Sequence, residues 1–149
     1  MQARGTTSGN RLVLRTALSE LGQLAAWVEE VSRHAGLTAD MAFGLQLCIE
    51  EAVANVVMYG GAPDNSPIIV QIQQVRDGVT ATIEDGAQPF DATQVPPRAI
   101  PESLDEARIG GLGVHLIRQY ASEMRYERHQ DRNRLTLEFS RSKAPAGWT

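Results

Sequence analysis

The stretch IIVQIQQVRDGVTATIED (residues 68–85) decides the fold class, because two strand-like runs in it flank a turn. IIVQIQQV (68–75) and VTATIED (79–85) have the short, apolar-rich pattern of strands. The RDG sequence between them (76–78) is typical of a tight hairpin turn. We therefore predict an antiparallel hairpin near the middle of the chain and a mainly antiparallel sheet around it.

Two helices are predicted upstream of this hairpin. Ser19 is expected to cap a helix that runs to about Ala35 and stops at Gly36. Thr38 is expected to cap a second helix that runs to about Met58. The apolar residues predicted on the buried faces of the two helices are Leu21, Leu24, Trp27, Val28, Val31, Met41, Leu45, Cys48, Ile49, Ala52, Val53 and Val56.

The remaining elements complete a sheet of about five strands. Residues 11–17 alternate like an edge strand, and residues 110–122 form a third helix that begins at glycines. MRYERH (124–129) and RLTLEFS (134–140) form a second hairpin across residues 130–133. The order β-α-α-β-β-α-β-β predicts a two-layer α/β (α+β) sandwich, in which three helices cover one face of a mostly antiparallel sheet.

The composition is that of one globular domain. The chain has 149 residues, of which 42% are hydrophobic and 21% charged, and a formal net charge of −4. This charge argues against sequence-independent binding to nucleic acid, which needs a basic face. The single cysteine, Cys48, excludes an internal disulfide framework. We expect a cytoplasmic protein without signal or membrane segment, with a disordered N-terminus (1–10), one domain (11–140) and a flexible tail (141–149).

EEAVANVVMYG (50–60), on the second predicted helix, places a carboxylate near a carboxamide. Glu51 and Asn55 are four residues apart, so they lie one turn apart on one helix face, beside the buried stripe. Glu50 points to the other flank. Such a pair can share a ligand site; the alternative is a solvated glutamate and an asparagine that bonds to nearby backbone.

IEDGAQPFD (83–91) places Asp85 where a strand gives way to a loop. A carboxylate at this point can accept a hydrogen bond from an exocyclic amine of a ligand. The alternative is that Asp-Gly forms a turn and the aspartate bonds to its own loop.

IGGLGVHLIR (109–118) has glycines immediately before a predicted helix. Glycines let the backbone approach a ligand, and the free N–H groups of a first helical turn attract anions. The stretch lacks the Lys-Ser/Thr pair of a Walker A loop, and Leu116 stands where a dinucleotide fingerprint has its third glycine. Residues 86–108 before it carry four prolines and no clear periodicity, which indicates a ligand lid or an ordinary loop.

Together, and in this order, the motifs resemble those of the GHKL (Bergerat-fold) ATPase superfamily. Within it they are most similar to the anti-sigma factor serine/threonine kinases of bacterial partner-switching systems. EAVANVVMYG (51–60) resembles the N box, IEDGAQPFD (83–91) the G1 box, and RIGGLGVHLIRQYASEMRYER (108–128) the G2 box with the strand that follows it. The resemblance covers about residues 11–140 and implies a histidine-kinase-like ATPase fold.

The resemblance also implies roles for individual residues. Asn55 takes the position of the asparagine that binds Mg²⁺, and Glu51 that of a general base or a residue that orients the attacking hydroxyl. Asp85 takes the position of the aspartate that binds the adenine amino group. The other nucleotide-binding positions implied are Ala87, Gly110, Gly111, Leu112 and Gly113, with a lid over residues 86–109.

Two positions depart from the family pattern. Ala87 stands where the G1 box has a glycine, which adds one methyl group beside the adenine site. Tyr59 stands where the N box has a histidine; a tyrosine can hydrogen-bond but carries no positive charge at neutral pH.

The function implied by the resemblance is an ATP-dependent protein serine kinase that also acts as an anti-sigma factor. Its cofactors would be ATP or ADP and Mg²⁺, and its partners a STAS-domain anti-anti-sigma protein, a sigma factor and a second copy of the chain. The alternatives are a non-catalytic switch that acts by sequestration, a detached histidine-kinase-type ATPase module, and a small domain that binds no nucleotide.

Overall fold

A computed structural model describes residues 10–96 and 111–142 of the chain. The strands within these residues are β1 (Arg11–Arg15), β2 (Pro67–Val75), β3 (Gly78–Asp85), β4 (Glu123–His129) and β5 (Arg132–Ser140). The α-helices are α1 (Leu21–His34), α2 (Ala39–Tyr59) and α3 (Gly111–Tyr120), and short 3-10 turns cover Leu18–Glu20 and Ala92–Gln94. The predicted order of elements is confirmed.

The strands form one five-stranded sheet in the order β1-β2-β3-β5-β4, and every neighbouring pair is antiparallel. Val75 pairs with Gly78 across a two-residue turn, so the central hairpin forms as predicted. Position 78 must be a glycine, because a Cβ atom there would lie 1.9 Å from the carbonyl oxygen of Phe139 on β5.

The core lies between one face of the sheet and the helices. Inward-facing residues of β2 and β3 alternate with exposed or half-buried ones, as a sheet covered on one side requires. The core residues with the largest fully buried side chains are Leu12, Leu14, Leu24, Val28, Leu45, Ile49, Val53, Ile68, Val70, Ile72, Ile83 and Leu137. The open face carries ion pairs instead, such as Arg134–Glu84 and Arg125–Glu138. The two-layer α/β sandwich is confirmed.

The caps of α1 and α2 follow the sequence only in part. The Thr38 hydroxyl accepts a hydrogen bond from the Met41 N–H at 3.2 Å, and Gly36 ends α1 with a φ of +66°, as predicted. The prediction that Ser19 caps α1 is wrong. Ser19 lies within a 3-10 turn and accepts a hydrogen bond from Arg15 at 3.4 Å, while Glu20 accepts one from the Arg15 backbone N–H at 2.9 Å. These bonds tie the segment to β1, and α1 begins after it.

The second hairpin turn is shorter than predicted. Only Gln130 and Asp131 lie in the turn between β4 and β5, with φ angles of 52° and 63°. Two consecutive residues of positive φ match the twist of the flanking strands, so pairing resumes at once. Asn133, placed in the connection by the sequence, is therefore part of β5, and its side chain points inward with 6% exposure.

Two other element ends are also earlier than predicted. β1 ends at Arg15 rather than Ala17, because the Thr16 N–H bonds to the Asp64 carbonyl oxygen instead of β2. α3 ends at Tyr120 rather than Ser122, whose N–H bonds to the carbonyl oxygen of Glu138.

Helix α2 is long and apolar enough to cross a membrane by length and composition alone, with a mean hydropathy of 1.4 over its best window. The sequence had suggested no such segment. In the fold, Leu45, Ile49 and Val53 of this helix are buried in the core. Core helices of soluble proteins pass the same test, so the helix is weak evidence for a membrane.

Candidate functional site

A pocket of about 230 Å³ lies beside α2, the end of β3 and the start of α3. The predicted site residues that line it are Glu51, Asn55, Asp85, Ala87 and Gly113. Gly111 and Leu112 form the first turn of α3, and Gly110 lies outside the described residues. The apolar part of the wall comprises Ala52, Val56, Ile83, Val114, Ile117 and Leu135. The fold therefore brings three separate sequence motifs to one cavity.

Glu51 lies where α2 meets the start of α3. A Cβ atom at Gly113 would lie 3.1 Å from Glu51 Oε1, so a glycine at this position leaves the carboxylate where it is, and a larger residue would displace it. Burial raises the pKa of Glu51 above its ordinary value, and the neighbouring Glu50 carboxylate raises it further. Glu50 itself accepts a hydrogen bond from Gln46 at 3.0 Å and does not line the pocket.

Asp85 closes the other end of the pocket and is 5% exposed. Its Oδ1 accepts a hydrogen bond from the Ala87 N–H and another from Asn133 Nδ2, both at 2.9 Å. The aspartate therefore bonds to its own loop and lines the pocket at the same time, so the two interpretations of IEDGAQPFD are compatible. Within the described residues both of its hydrogen bonds go to Oδ1.

Asn133 is a site residue that sequence reasoning missed. Its Nδ2 also donates to the carbonyl oxygens of Ala87 (3.3 Å) and Gln88 (2.9 Å). Its Oδ1 accepts hydrogen bonds from the Tyr126 hydroxyl at 2.6 Å and from Arg128 at 3.0 Å. The alternation of inward- and outward-facing residues along a strand could have identified it, because Asn133 lies an even number of residues from Leu137, and Leu137 and Phe139 both face inward.

Ala87 fits this site because of a glycine elsewhere in the chain. A Cβ atom at Gly60 would lie 2.6 Å from the Ala87 Cβ atom, so the missing side chain at Gly60 makes room for that methyl group. The Gln88 N–H also donates to the Gly60 carbonyl oxygen at 3.0 Å. The family departure at Ala87 is thus accommodated by close packing against the end of α2.

Residues 86–96, the first part of the predicted lid, are anchored to the domain. Arg128 donates to the Ala87 carbonyl oxygen at 3.0 Å, and Arg118 donates to the Thr93 carbonyl oxygen at 3.2 Å. Ala87 and Ala92 are buried. This part is therefore fixed against the pocket, and the rest of the predicted lid, residues 97–109, lies outside the described residues.

Asn55 and Tyr59 follow Glu51 on the pocket side of α2, at successive turns of the helix. Tyr59 is 46% exposed. The Asn55 carboxamide makes no hydrogen bond to the described residues, so its oxygen can serve a ligand. A magnesium ion prefers such oxygen ligands and retains several waters, so Asn55 fits the role of a single protein ligand. Within residues 10–96 and 111–142, no group of three or more His, Cys, Asp or Glu side chains gathers as a metal site.

Comparisons with known proteins agree with one another on the family of this chain. Residues 14–139 match the family model described as histidine kinase-like ATPase domain. A curated relative, the serine/threonine-protein kinase BtrW of Bordetella bronchiseptica, is 32% identical over 112 residues, which cover 74% of this chain and 79% of the relative. A solved structure of the RsbU and RsbW domains of Rv1364c from Mycobacterium tuberculosis has a TM-score of 0.63 at 20% identity, over 96% of this chain and 36% of that one.

The solved chain is thus much longer than this one, and its likeness establishes the fold. The family model and the curated relative establish membership, since they extend over most of this chain. The resemblance to GHKL kinases that the three motifs indicated is confirmed, and the chain belongs to the histidine kinase-like ATPase family, together with its relative, the serine/threonine-protein kinase of Bordetella.

Proposed function

We propose that this chain is an ATP-dependent protein serine/threonine kinase that also acts as an anti-sigma factor. It would phosphorylate a STAS-domain anti-anti-sigma protein and sequester a sigma factor, in alternation. The observation that carries the proposal is the pocket in which Glu51, Asn55, Asp85 and Gly113 come together. Membership of an ATPase family whose Bordetella member is named a serine/threonine-protein kinase supports it.

The two ends of the site lie about two and a half turns apart along α2. Ala87 packs on Gly60 at the C-terminal end of α2, and Gly113 packs on Glu51 nine residues earlier in the chain. Along a helix this separation is about 13 Å. A base at the Asp85 end would therefore place a phosphate chain toward Glu51 and the start of α3.

The Asp85 end suits a base with an amino group. Val56, Ile83 and Leu135 offer apolar surface to a flat ring. Asp85 adds an acceptor oxygen whose position is fixed by the bonds to its other oxygen. The pocket of about 230 Å³ is smaller than most sites for whole ligands, which occupy about 300–1,000 Å³. It therefore suits part of a nucleotide, with the base at the Asp85 end and the phosphates extending from the Glu51 end.

The Glu51 end suits phosphates and an acceptor hydroxyl. Gly113 lies in the first turn of α3, where backbone N–H groups lack partners within the helix and attract anions. Asn55 would hold Mg²⁺ through its amide oxygen, together with phosphate oxygens and water. The bound ion would neutralise charge on the phosphates during transfer.

Glu51 would orient the acceptor hydroxyl or take its proton. As the hydroxyl oxygen forms its bond to the γ-phosphorus, the bond from that phosphorus to the β–γ bridging oxygen breaks, and the proton passes to the Glu51 carboxylate. A raised pKa favours this role, because it makes the carboxylate a stronger base at neutral pH.

Phosphate transfer from labelled ATP to STAS-domain proteins of the same organism tests the proposal. Glu51→Ala is expected to lower the rate by about 10²- to 10⁴-fold, the usual contribution of general acid–base catalysis. Glu50→Ala is the matched control, because Glu50 is the adjacent glutamate outside the pocket. It acts only through the pKa of Glu51, so its rate at neutral pH should stay within a few fold of that of the wild type. Transfer by Glu51→Ala at the wild-type rate would show that Glu51 has no catalytic role.

The second candidate is a nucleotide-binding anti-sigma switch without kinase activity. Tyr59 in place of the N-box histidine favours it, because this position lines the pocket and cannot carry positive charge at neutral pH. Tight binding of MgADP without transfer to any STAS-domain acceptor would select this function over the first. Sustained hydrolysis of ATP without a protein acceptor would instead select a detached ATPase module.

Dimer formation and a cytoplasmic location belong to the same proposal. The dimer rests on the family resemblance of the motifs, and the cytoplasmic location on the single cysteine, which suits a reducing compartment. Sedimentation of the purified chain tests the first, and fractionation of cells that express it tests the second.

A further inference from the structure

The carboxamide of Asn133 is held in one orientation. The Tyr126 hydroxyl and the Arg128 guanidinium both present hydrogens to one of its atoms, at 2.6 and 3.0 Å. Only an oxygen can accept both bonds, since the arginine has no acceptor and an amide nitrogen cannot accept. The amide nitrogen must therefore face the pocket, where Asp85 Oδ1 lies at 2.9 Å.

This orientation determines what remains available on Asp85. Oδ1 accepts from Asn133 Nδ2 and from the Ala87 N–H. Two donors on one oxygen fix the rotation of the carboxylate, and they leave Oδ2 without a partner among the described residues. Asp85 lines the pocket, so Oδ2 is the oxygen available to a ligand there.

We infer that Asn133 is a positioning residue that, held by Tyr126 and Arg128, turns Asp85 Oδ2 toward the ligand and so selects a base that carries an amino group. The inference rests on the proposed function, because it concerns the base end of the nucleotide site. It adds a residue on the last strand and a basis for discrimination between purines with and without an amine.

A purely structural role for Asn133 predicts a different result. Asn133 also donates hydrogen bonds to the carbonyl oxygens of Ala87 and Gln88, and its role could be only to hold that loop against β5. If that were its role, loss of these hydrogen bonds to the loop would weaken the binding of every nucleotide alike. Loss of the orientation of Asp85 would weaken only the binding of nucleotides whose base donates a hydrogen bond to it.

Binding of ADP and of purine riboside 5′-diphosphate, which lacks the 6-amino group, separates the two roles. Both are titrated into the full chain by calorimetry with Mg²⁺. The wild type should prefer ADP by about 10- to 100-fold, the value expected of one hydrogen bond to a charged group. Asn133→Ala should reduce this preference to within about threefold, because ADP should lose more affinity than the nucleotide without the amino group. Thr136→Ala, on the same strand but the opposite face, should retain it.

Tyr126→Phe provides a second test that removes only one hydroxyl group. It should leave the fold intact and lower the preference for ADP by about threefold, because one of the two bonds that orient the carboxamide is lost. A full preference for ADP in both Asn133→Ala and Tyr126→Phe would overturn the inference, and so would a wild type that binds both nucleotides equally. A wild type that binds neither nucleotide would instead overturn the proposed function.

Discussion

Replacement of Gly113 by alanine is expected to separate stability from activity. The new methyl carbon would lie 3.1 Å from Glu51 Oε1 and 3.8 Å from Glu51 Cβ. The first distance is shorter than ordinary van der Waals contact, so the carboxylate must move by a few tenths of an ångström or more. The carboxylate is the flexible end of its side chain, so this movement costs the fold little.

The effects on stability and on rate can be estimated separately. Alanine is more favourable than glycine within a helix by roughly 0.5–1 kcal/mol, which offsets the contact with Glu51. The Tm should therefore stay within about 2–4 °C of the wild type. Misplacement of a catalytic group by about 1 Å can cost 10²-fold in rate, so a smaller shift should lower phosphate transfer by less, about 3- to 30-fold.

Gly22→Ala is the matched control for this variant. Gly22 lies in the first turn of α1, and a Cβ atom there would meet nothing within 4 Å. Both variants are compared by thermal unfolding and by transfer from labelled ATP to the acceptor. Transfer by Gly113→Ala at the rate of Gly22→Ala would show that the position of Glu51 does not control the reaction.

Three further perturbations follow from the same contacts. Glu50→Gln removes a charge that raises the pKa of Glu51. The pH below which the rate of phosphate transfer falls should therefore move to a lower value, and an unchanged pH dependence of the rate would contradict this. Folding raises the pKa of Glu51, so the folded protein gains stability from protonation of this carboxyl at low pH and loses it as the pH rises through that pKa. Glu51→Gln removes the carboxyl and should therefore raise the Tm at neutral pH, as measured by calorimetry. Gly60→Ala would force a Cβ atom to 2.6 Å from the Ala87 Cβ atom and should destabilise the fold by about 1–3 kcal/mol in urea. Ala87→Gly in the same chain should restore only part of that loss, because the new Cβ atom would also lie 2.6 Å from the Val56 carbonyl oxygen. A loss that Ala87→Gly leaves unchanged would show that the contact with Ala87 contributes nothing to it.

Much of the fold could be predicted because local patterns and tertiary packing agree. The hairpin of residues 68–85 has a turn sequence that suits its strands, and Thr38 caps α2 through its own side chain. The errors arose where hydrogen bonds to a neighbouring element decide a boundary. Ser19 accepts a hydrogen bond from Arg15 of β1, and the residue pattern at a helix start does not predict such a bond.

The candidate site was predictable to the extent that its residues lie at element ends with distinctive spacing. Glu51 and Asn55 share a helix face, and Asp85 ends a strand, so pattern alone marks them. Asn133 was missed because the turn before it was assumed to be longer. The packing of Ala87 on Gly60 could not be read from sequence, since it depends on a contact between two separate loops.

Titration of MgADP into the wild type and into Asp85→Asn tests most directly whether this pocket binds a nucleotide through Asp85. The amide oxygen of the variant can keep both bonds at the Oδ1 position, while an NH₂ group replaces Oδ2 and faces the amino group of the base, donor against donor. We expect the wild type to bind MgADP and Asp85→Asn to bind it at least about tenfold more weakly with an unchanged Tm. No binding by the wild type, or equal binding by the two proteins, would contradict this expectation.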